Sequence, residues 1–349
     1  MQIKDIRHKK PSGLQASCMR MLHTKLYKGS HLLQEGGLVI KREGYRVFLL
    51  RLYDYLDRKK YDFIPGIKSD YDIWMKKNKI TGIRIDEIKN EIAGFHYSPK
   101  ISIIMPVYNV EQIWLEKAID SVINQVYQNW ELCIVDDAST KKHIKQTLEC
   151  YLKTERRIKV TFLNKNHGIS GASNEALSLA TGEFIGLLDH DDELSIDALY
   201  EYVKLLNRFP KADLIYSDED KIELNGKRVE PFFKPDYSPV LLLCRNYICH
   251  FCMVRKALIN EVGKFRPGYE GAQDYDLILR CIEKTGLEKI FHVPKILYHW
   301  RKTPGSTAAL TDAKPYAFDS AKKALSSYLN RNDIEGEVYD GRFLGSYRV

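Results

Sequence analysis

The sequence predicts an α/β protein in which helices cover both faces of a mostly parallel central sheet, with a basic helical segment in front of it. From residue 100 onward, short apolar runs of strand character alternate with stretches of helical periodicity. Such alternation is typical of βα units. Residues 1–99 show helical periodicity without strand-like alternation, and this predicts a separate, mainly helical segment.

Strands and helices alternate regularly between residues 100 and 217. The strand predictions rest on β-branched and apolar runs, and the helix predictions on apolar residues at every third or fourth position. We predict strands at 101–105, 131–135, 157–163, 184–188 and 214–217. We predict helices at 115–126, 170–180 and 196–209.

The order changes after residue 217. Asn225 and Gly226 stand between two short strand-like arms, which predicts a hairpin and therefore antiparallel elements. Further predictions are a buried strand at 248–255, a helix at 272–284, an extended stretch at 290–300 broken by Pro294, and a helix at 316–329 with a short strand-like tail. The predicted domains are 1–99, 100–310 and 311–349, with the first boundary near Tyr97-Ser98-Pro99.

The composition excludes disordered and fibrous classes, because 44% of the 349 residues are hydrophobic and 29% are charged. The longest apolar runs, such as residues 240–244, are far shorter than the roughly 18 residues that span a bilayer. The first residues do not have the pattern of a signal peptide, and seven cysteines without framework spacing suit a reducing compartment. The expected location is the cytoplasm, including the cytoplasmic face of the membrane.

The net charge of +8 belongs to the N-terminal third. Residues 1–99 hold 20 Lys and Arg against 11 Asp and Glu, which leaves 34 against 35 for the remainder. Residues 38–60 form a predicted basic amphipathic helix with Arg42, Arg46, Arg51 and Arg58 on its polar face. Binding to an anionic membrane surface and packing on the neighbouring domain are equally supported, and binding of single-stranded nucleic acid is weaker; we expect no nucleic acid partner.

Polar residues follow the predicted strands, and in open α/β sheets ligands bind beyond the carboxyl ends of the strands. These positions are 108–109, 136–137, 164–167, 189–192 and 217–220. Carboxylates gathered at one edge repel each other unless a cation is present, which predicts a divalent metal. Asp189-His190-Asp191 is the best candidate, because carboxylate oxygens suit Mg²⁺ or Mn²⁺; the alternative is a solvated acidic turn that caps the next helix.

Three further motifs each allow more than one interpretation. The loop 166–171 opens a helix and either binds an anion or is a plain glycine turn, and it matches neither nucleotide-binding glycine fingerprint. Asp274 and Asp276 are two positions apart, so at most one faces the crevice, where it could act as general base. The run Cys249-His250-Phe251-Cys252 suggests zinc, but its place in an apolar strand favours buried cysteines.

Six segments taken together resemble the family 2 glycosyltransferases of the GT-A fold. They are Pro106-Val107-Tyr108-Asn109, Val135-Asp136-Asp137-Ala138-Ser139, residues 168–174, residues 188–194, Gln273-Asp274-Tyr275-Asp276-Leu277 and Tyr298-His299-Trp300-Arg301. The resemblance covers about residues 100–305. It implies an inverting enzyme that moves a sugar from a nucleoside diphosphate donor, with a UDP-sugar favoured, to a hydroxyl of a glycan or lipid-linked glycan. The flanks resemble modules of bacterial surface-polysaccharide glycosyltransferases.

The resemblance also implies residue roles. Asp274 matches the catalytic base, and Asp191 matches the metal ligand for Mn²⁺ or Mg²⁺, with Asp189 and His299 beside it. The implied donor-binding positions are Pro106, Tyr108, Asp136, Asp137, Gly168, Asp189 and Arg301. Of these, Tyr108 is expected beside the base, Asp137 at the base or ribose, and Arg301 at the leaving group.

Three other activities remain open at the sequence level. A sugar nucleotidyltransferase also uses an α/β sheet and carboxylate-held Mg²⁺, but the first strand is not followed by its basic glycine-rich loop. A non-catalytic, membrane-associated glycan-binding scaffold is disfavoured by the placement of Asp191 and Asp274. A retaining mechanism would use a carboxylate as nucleophile instead of base. The Gln-x-x-Arg-Trp pattern of processive synthases is not present in the sequence.

Overall fold

The computed structural model describes residues 69–303 and 315–349. They belong to two units divided between Lys77 and Asn78. The described part of the first unit is helix α1, Asp70–Lys77, whose first turn is capped by reciprocal bonds between Ser69 and Asp72. The predicted basic helix over residues 38–60 lies outside the described residues.

The second unit begins with a helix and continues as an α/β series. Its elements in chain order are α2 (Gly82–Ala93), β1 (Ile101–Val107), α3 (Gln112–Ile123), β2 (Trp130–Asp136), α4 (Lys142–Thr154), β3 (Ile158–Phe162), α5 (Gly168–Leu179), β4 (Phe184–Leu187), β5 (Glu193–Leu194), α6 (Ala198–Arg208), β6 (Leu214–Ile222), β7 (Arg228–Phe232), α7 (Pro239–Cys244), β8 (Cys252–Arg255), α8 (Lys256–Glu261), α9 (Gln273–Lys284), β9 (Ile290–Arg301), α10 (Pro315–Arg331), β10 (Tyr339–Asp340) and β11 (Tyr347–Arg348). In the described part of the chain, no helix is long and apolar enough to cross a membrane.

The central sheet has the strand order β3-β2-β1-β4-β8-β6-β9-β5, with β7 paired to β6. β1 pairs in parallel with both β2 and β4, and β2 pairs in parallel with β3. β8 is antiparallel to β4 and β6, whereas β6 and β9 are parallel. The predicted mostly parallel sheet is therefore confirmed, together with the antiparallel β6-β7 hairpin at Gly226.

Helices cover both faces of the sheet because alternate strand residues point in opposite directions. Ile103 of β1 belongs to a buried cluster with residues of α3 and α6, whereas its neighbour Ile104 belongs to a second cluster with residues of α5 and α9. Each fully buried Leu or Ile contributes about 1.5–3 kcal/mol to folding. Both faces of the sheet are thus apolar and covered.

The boundary between the two structural units differs from the predicted domain boundary. The structural boundary lies at Lys77, well before the predicted one near Tyr97, because α2 packs on the following domain. Ile88 of α2 is fully buried in the first cluster, and Glu91 accepts a hydrogen bond from Lys204 at 2.7 Å. Likewise α10 contributes Ala324 to the second cluster, so the described part of the predicted 311–349 segment belongs to the same unit.

The predicted break at Pro294 is a bulge within a continuous strand. β9 runs through Pro294, but its register against β6 shifts there: Val293 pairs with Ser217, and Ile296 pairs with Asp218. Proline has no N–H to donate to the ladder, so an irregular pair is the favourable arrangement.

Candidate active site

The candidate site lies at the carboxyl edge of strands β1 to β4. These strands run parallel, so the loops that follow them meet at one edge of the sheet. The order of strands reverses between β1 and β4, the place where open α/β sheets bind ligands. The expectation that residues 217–220 also follow a strand is wrong, because they lie inside β6.

Hydrogen bonds join the loops after β1, β2 and β3 into one wall of this crevice. Asp137 is buried, and its Oδ1 accepts from the main-chain N–H of His167 at 2.6 Å. Its carbonyl oxygen accepts from Asn166 Nδ2 at 3.1 Å. Asn109, whose φ is +49°, accepts from the N–H of Thr140 at 2.9 Å. The wall is therefore pre-formed.

Three other residues predicted to bind the nucleotide differ in the exposure of their side chains. Tyr108 is 46% exposed at the end of β1, so its ring is accessible to a base. Asp136 is buried, and its Oδ1 accepts from the N–H of Ser139 at 3.2 Å, which shapes its own loop. Pro106 lies within β1, and its carbonyl oxygen contacts His190 Nδ1 at 3.0 Å. Only Tyr108 of these three offers an exposed side chain.

Gly168 begins α5 in a left-handed conformation with φ of +71°. Its N–H donates to Asn166 Oδ1 at 3.1 Å, and the preceding N–H of His167 is bound to Asp137. A side chain at Gly171 would come within 2.6 Å of His167 Cβ. Two N–H groups at this helix start are already bonded within the protein, which favours the glycine-turn interpretation over an anion site.

The acidic loop, residues 189–192, follows β4. Asp192 is fully buried and bonded at both oxygens, to the Tyr298 hydroxyl at 2.6 Å and to the N–H of Arg301 at 2.7 Å. Burial raises the pKa of Asp192 well above its usual value, and the charges of Asp191 and Asp189 add to that effect.

The other two carboxylates of the loop are more accessible. The Asp189 side chain is 45% exposed, and Asp191 Oδ2 accepts from the Thr303 hydroxyl at 2.9 Å. Exposed carboxylate oxygens at a sheet edge are the ligands that Mg²⁺ and Mn²⁺ prefer. Asp189 and Asp191 therefore fit such an ion, whereas Asp192 supports the loop.

Arg301 lies beneath the acidic loop and not in the open crevice. Its guanidinium is fully buried, donates from Nε to the Asp191 carbonyl at 2.8 Å, pairs with Glu193 and lies 4.3 Å from the centre of the Trp114 ring. These bonds position the loop, while Arg301 Nη1 is buried without a hydrogen-bond partner among the described residues. The role of Arg301 at the leaving group stays a prediction.

The role of His299 as a metal ligand stays a prediction, and a carboxylate holds one of its two ring nitrogens. His299 is buried, and its Nδ1 lies 2.7 Å from Asp220 Oδ1, while Asp220 also pairs with Arg228. Among the described residues, the ligand atoms that cluster within 4.8 Å at this loop belong to Asp189, Asp192 and His250. The histidine beside the acidic loop is therefore His250.

Glu219 and Tyr298 fix the position of His250. Its main-chain N–H donates to Glu219 Oε2 at 3.3 Å, and its Nδ1 lies 3.4 Å from the same oxygen. The ring stacks on Tyr298 with centroids 4.6 Å apart, and its Nε2 lies 3.8 Å from Asp189 Oδ2. Nε2 thus faces Asp189 of the acidic loop, with Cys249 Sγ 3.6 Å away.

A buried lysine fixes this arrangement. Lys234 Nζ donates to Glu219 Oε2 at 3.1 Å, to the Ile248 carbonyl at 2.8 Å and to the His250 carbonyl. Burial would raise the pKa of Glu219, but Lys234 and His250 lower it to about 2. Burial would lower the pKa of His250, but Cys249 and Glu219 raise it well above its usual value.

Asp274 is the second residue of α9, at a helix end that favours negative charge. Its Oδ2 accepts from Asn246 Nδ2 at 2.8 Å. Burial raises the pKa of Asp274, and the nearby His250 and the Asn246 hydrogen bond oppose that rise. A desolvated carboxylate with one orienting partner is suited to accept a proton.

Asp276 is structural, as the spacing predicted for one of the pair. It is fully buried and pairs with Arg280 at 2.7 Å and with Arg266. The two carboxylates of this motif therefore have separate tasks.

Sequence reasoning missed Asn246 as a site residue and considered His250 only as part of a zinc motif, whereas Glu219 was among the positions expected at the crevice. We predicted a strand over residues 248–255, but β8 begins at Cys252, and the preceding residues form a loop into the crevice. Cys252 is buried, as favoured, whereas Cys249 contacts the His250 ring at 3.2 Å. The signal available in the sequence was the adjacent pair Cys249-His250 within an apolar run.

The strand order and the acidic edge define a domain of the GT-A class, and comparisons with known proteins give its family. The family model described as Glycosyl transferase family 2 matches residues 102–263. A putative colanic acid biosynthesis glycosyl transferase, WcaA of Escherichia coli K12, is 30% identical over 195 residues, 54% of this chain and 68% of that protein. The chain belongs to glycosyltransferase family 2.

Longer bacterial proteins contain a similar segment. The uncharacterized protein y4gI of Sinorhizobium fredii is 44% identical over 258 residues, and the O-antigen biosynthesis protein RfbC of Myxococcus xanthus is 35% identical over 274 residues. These alignments cover 74% and 78% of this chain. The chain spans only 28% and 21% of the length of these relatives.

The fold is also found in a solved structure. The crystal structure of S. aureus TarS residues 1–349 in complex with UDP-GlcNAc superimposes with a TM-score of 0.51 at 21% identity, over 67% of this chain and 72% of that one. At this identity the similarity concerns the fold alone.

Proposed function

We propose that the chain transfers a sugar from a UDP-sugar to an acceptor hydroxyl in the synthesis of a bacterial surface polysaccharide, with inversion at the anomeric carbon. The observation that carries this proposal is an accessible acidic loop after β4 in the same crevice as the partly buried carboxylate of Asp274. Support for the substrate class comes from RfbC, named for O-antigen biosynthesis, and from TarS, which was crystallised with UDP-GlcNAc.

The residues of the crevice have distinct tasks in this reaction. Tyr108 and Asp137 line the wall for the base and ribose, and Asp189 and Asp191 hold Mn²⁺ or Mg²⁺. When bound, the ion neutralises the charge that builds up on the leaving diphosphate. Asn246 orients Asp274 so that one carboxylate oxygen remains for the acceptor.

Asp274 takes the proton from the acceptor hydroxyl as its oxygen attacks the anomeric carbon. The bond from that carbon to the diphosphate oxygen breaks, and the nucleoside diphosphate leaves with the bonding electrons. Attack opposite the leaving group inverts the anomeric configuration in one displacement. A positioned base of this kind contributes about 10²–10⁴-fold to the rate.

The first experiment measures nucleoside diphosphate release from UDP-, dTDP- and GDP-sugars with Mn²⁺ or with EDTA. We expect release from a UDP-sugar that needs the metal and is lost in Asp191→Asn and Asp274→Asn. Asp86→Asn, at a side chain that is 76% exposed, is the matched control and should retain activity. Metal-independent release contradicts the metal role, and pyrophosphate release from a nucleoside triphosphate indicates a nucleotidyltransferase.

Stereochemistry is tested separately on the product. Proton NMR of its anomeric centre should show the configuration opposite to that of the donor. A retained configuration overturns the assignment of Asp274 as a base, because retention needs a nucleophile.

The acceptor is proposed to be a glycan or lipid-linked glycan at the cytoplasmic face of the membrane, with residues 38–60 at the anionic surface. The basic charge of that segment is the support for this part. Replacement of Arg42, Arg46, Arg51 and Arg58 by Gln should weaken binding to anionic liposomes. Unchanged liposome binding excludes the membrane role.

A further inference from the structure

The loop before β8 contacts the two functional ends of the crevice, the acidic loop and Asp274. His250 Nε2 lies 3.8 Å from Asp189 Oδ2, on the side of the acidic loop. Asn246 joins the same loop to the proposed base: its Nδ2 donates to Asp274 Oδ2 at 2.8 Å, and its Oδ1 accepts from the N–H of Cys249, next to His250, at 3.3 Å. The loop that carries His250 therefore contacts both the acidic loop and Asp274.

Several contacts fix the position of the His250 ring. Glu219 contacts both its main-chain N–H and its Nδ1, and Lys234 holds Glu219 from behind. Tyr298 and Trp300 confine the ring at centroid distances of 4.6 and 5.3 Å. Such support fixes the direction of Nε2, which is what recognition of a hydroxyl requires.

A metal-ligand role for the same ring is less well supported. Two groups of potential ligands contain His250. One needs Asp192, whose oxygens both already accept hydrogen bonds, from Tyr298 and from Arg301. The other needs Glu219, whose Oε2 already accepts from Lys234 and from the main chain of His250. Only Asp189 then remains as its carboxylate partner.

We infer that His250 contacts a hydroxyl group of the transferred sugar and thereby selects the sugar of the donor. This inference rests on the proposed function. In an in-line displacement the sugar lies between the leaving diphosphate and the base. The loop that carries His250 contacts groups at both ends of that interval, Asp189 and, through Asn246, Asp274. A sugar hydroxyl both donates and accepts, so it can pair with Nε2 whether or not that nitrogen carries a proton.

The test compares binding of UDP with binding of UDP-sugars by calorimetry in the presence of Mn²⁺. The amide nitrogen of Gln reaches the position of Nε2, whereas that of Asn reaches only the position of Nδ1. We expect His250→Asn to weaken binding of the preferred UDP-sugar about tenfold while UDP affinity stays within about twofold, as loss of one hydrogen bond predicts. His250→Gln should restore most of the loss, and His96→Ala, at an exposed histidine, should bind as the wild type.

The other possible results contradict the inference that His250 contacts the sugar. Equal weakening of UDP and UDP-sugar in His250→Asn indicates a metal or diphosphate role and overturns the inference, as does unchanged binding of both. Equal loss in the Asn and Gln variants indicates a purely structural role. If the wild type binds UDP but discriminates no sugar, only this inference is wrong; if it binds no nucleotide, the proposed function is wrong as well.

Discussion

The Tyr298 hydroxyl joins two positions of the acidic loop: it donates to Asp192 Oδ2 at 2.6 Å and accepts from the N–H of Asp189 at 3.3 Å. Tyr298 belongs to β9, more than a hundred residues later in the chain, and the ring is fully buried. A distant strand thus sets the loop that carries the candidate metal ligands.

Tyr298→Phe should therefore loosen the acidic loop while keeping the ring in place. Loss of the hydroxyl leaves the buried Asp192 one partner short, which costs about 1–3 kcal/mol. In a unit of this size we expect the melting temperature to fall by about 2–4 °C per kcal/mol, with weaker Mn²⁺-dependent binding of UDP. Tyr316→Phe, at an exposed ring, is the control; an unchanged melting temperature in Tyr298→Phe contradicts the role.

The two carboxylates of the α9 motif should respond in opposite ways to loss of charge. Asp274→Asn removes the proton acceptor, so we expect kcat to fall about 10²–10⁴-fold with no loss of thermal stability. Asp276→Asn breaks a fully buried ion pair with Arg280 and should cost about 3–5 kcal/mol. Thermal melts and rate assays on both variants check this; comparable destabilisation of the two contradicts the division of tasks.

Asn246 should control the pH at which activity appears. Asp274 must be ionised to act as base, so activity falls as the pH drops through its pKa, which burial raises. The Asn246 hydrogen bond lowers that pKa, and Asn246→Ala should move the acid limb of kcat/KM to higher pH. A lower kcat/KM with an unmoved acid limb contradicts the assignment of that limb to Asp274.

The parallel half of the sheet was predictable because its signals are local. The runs that became β1 to β4 are β-branched and apolar, and each is followed by polar loop residues. The acidic loop and Asp274 were found for the same reason, since their carboxylates stand at the ends of elements. Their resemblance to family motifs supplied the proposed roles.

What could not be predicted depends on contacts between distant residues. Arg301 pairs with Glu193, and His299 Nδ1 contacts Asp220, and only the fold reveals those partners. His250 was hidden because an apolar sequence leads into β8 without a turn signal. Likewise α2 was assigned to the wrong segment because the surface that buries Ile88 lies on other elements.

Glu131 on β2 is the clearest source of pH-dependent stability outside the crevice. It is buried, forms ion pairs with Lys100 at 2.8 Å and Lys159 at 3.0 Å, and accepts from the Ser102 hydroxyl at 2.6 Å and from the Thr181 hydroxyl. Burial opposes ionisation, but these partners outweigh it and lower the pKa of Glu131 well below its usual value.

Glu131→Gln should therefore destabilise the unit at neutral pH and not in acid. In the unfolded chain the pKa of a Glu side chain is about 4.3. Above that pH, the ionised form of Glu131 therefore makes its full contribution to stability. This contribution is lost as pH falls toward the lower pKa of the folded state, because the unfolded chain then binds the proton more readily. We expect the variant to melt several degrees below the wild type at pH 7, with the gap closing below about pH 4. A gap independent of pH would assign the loss to packing instead of charge.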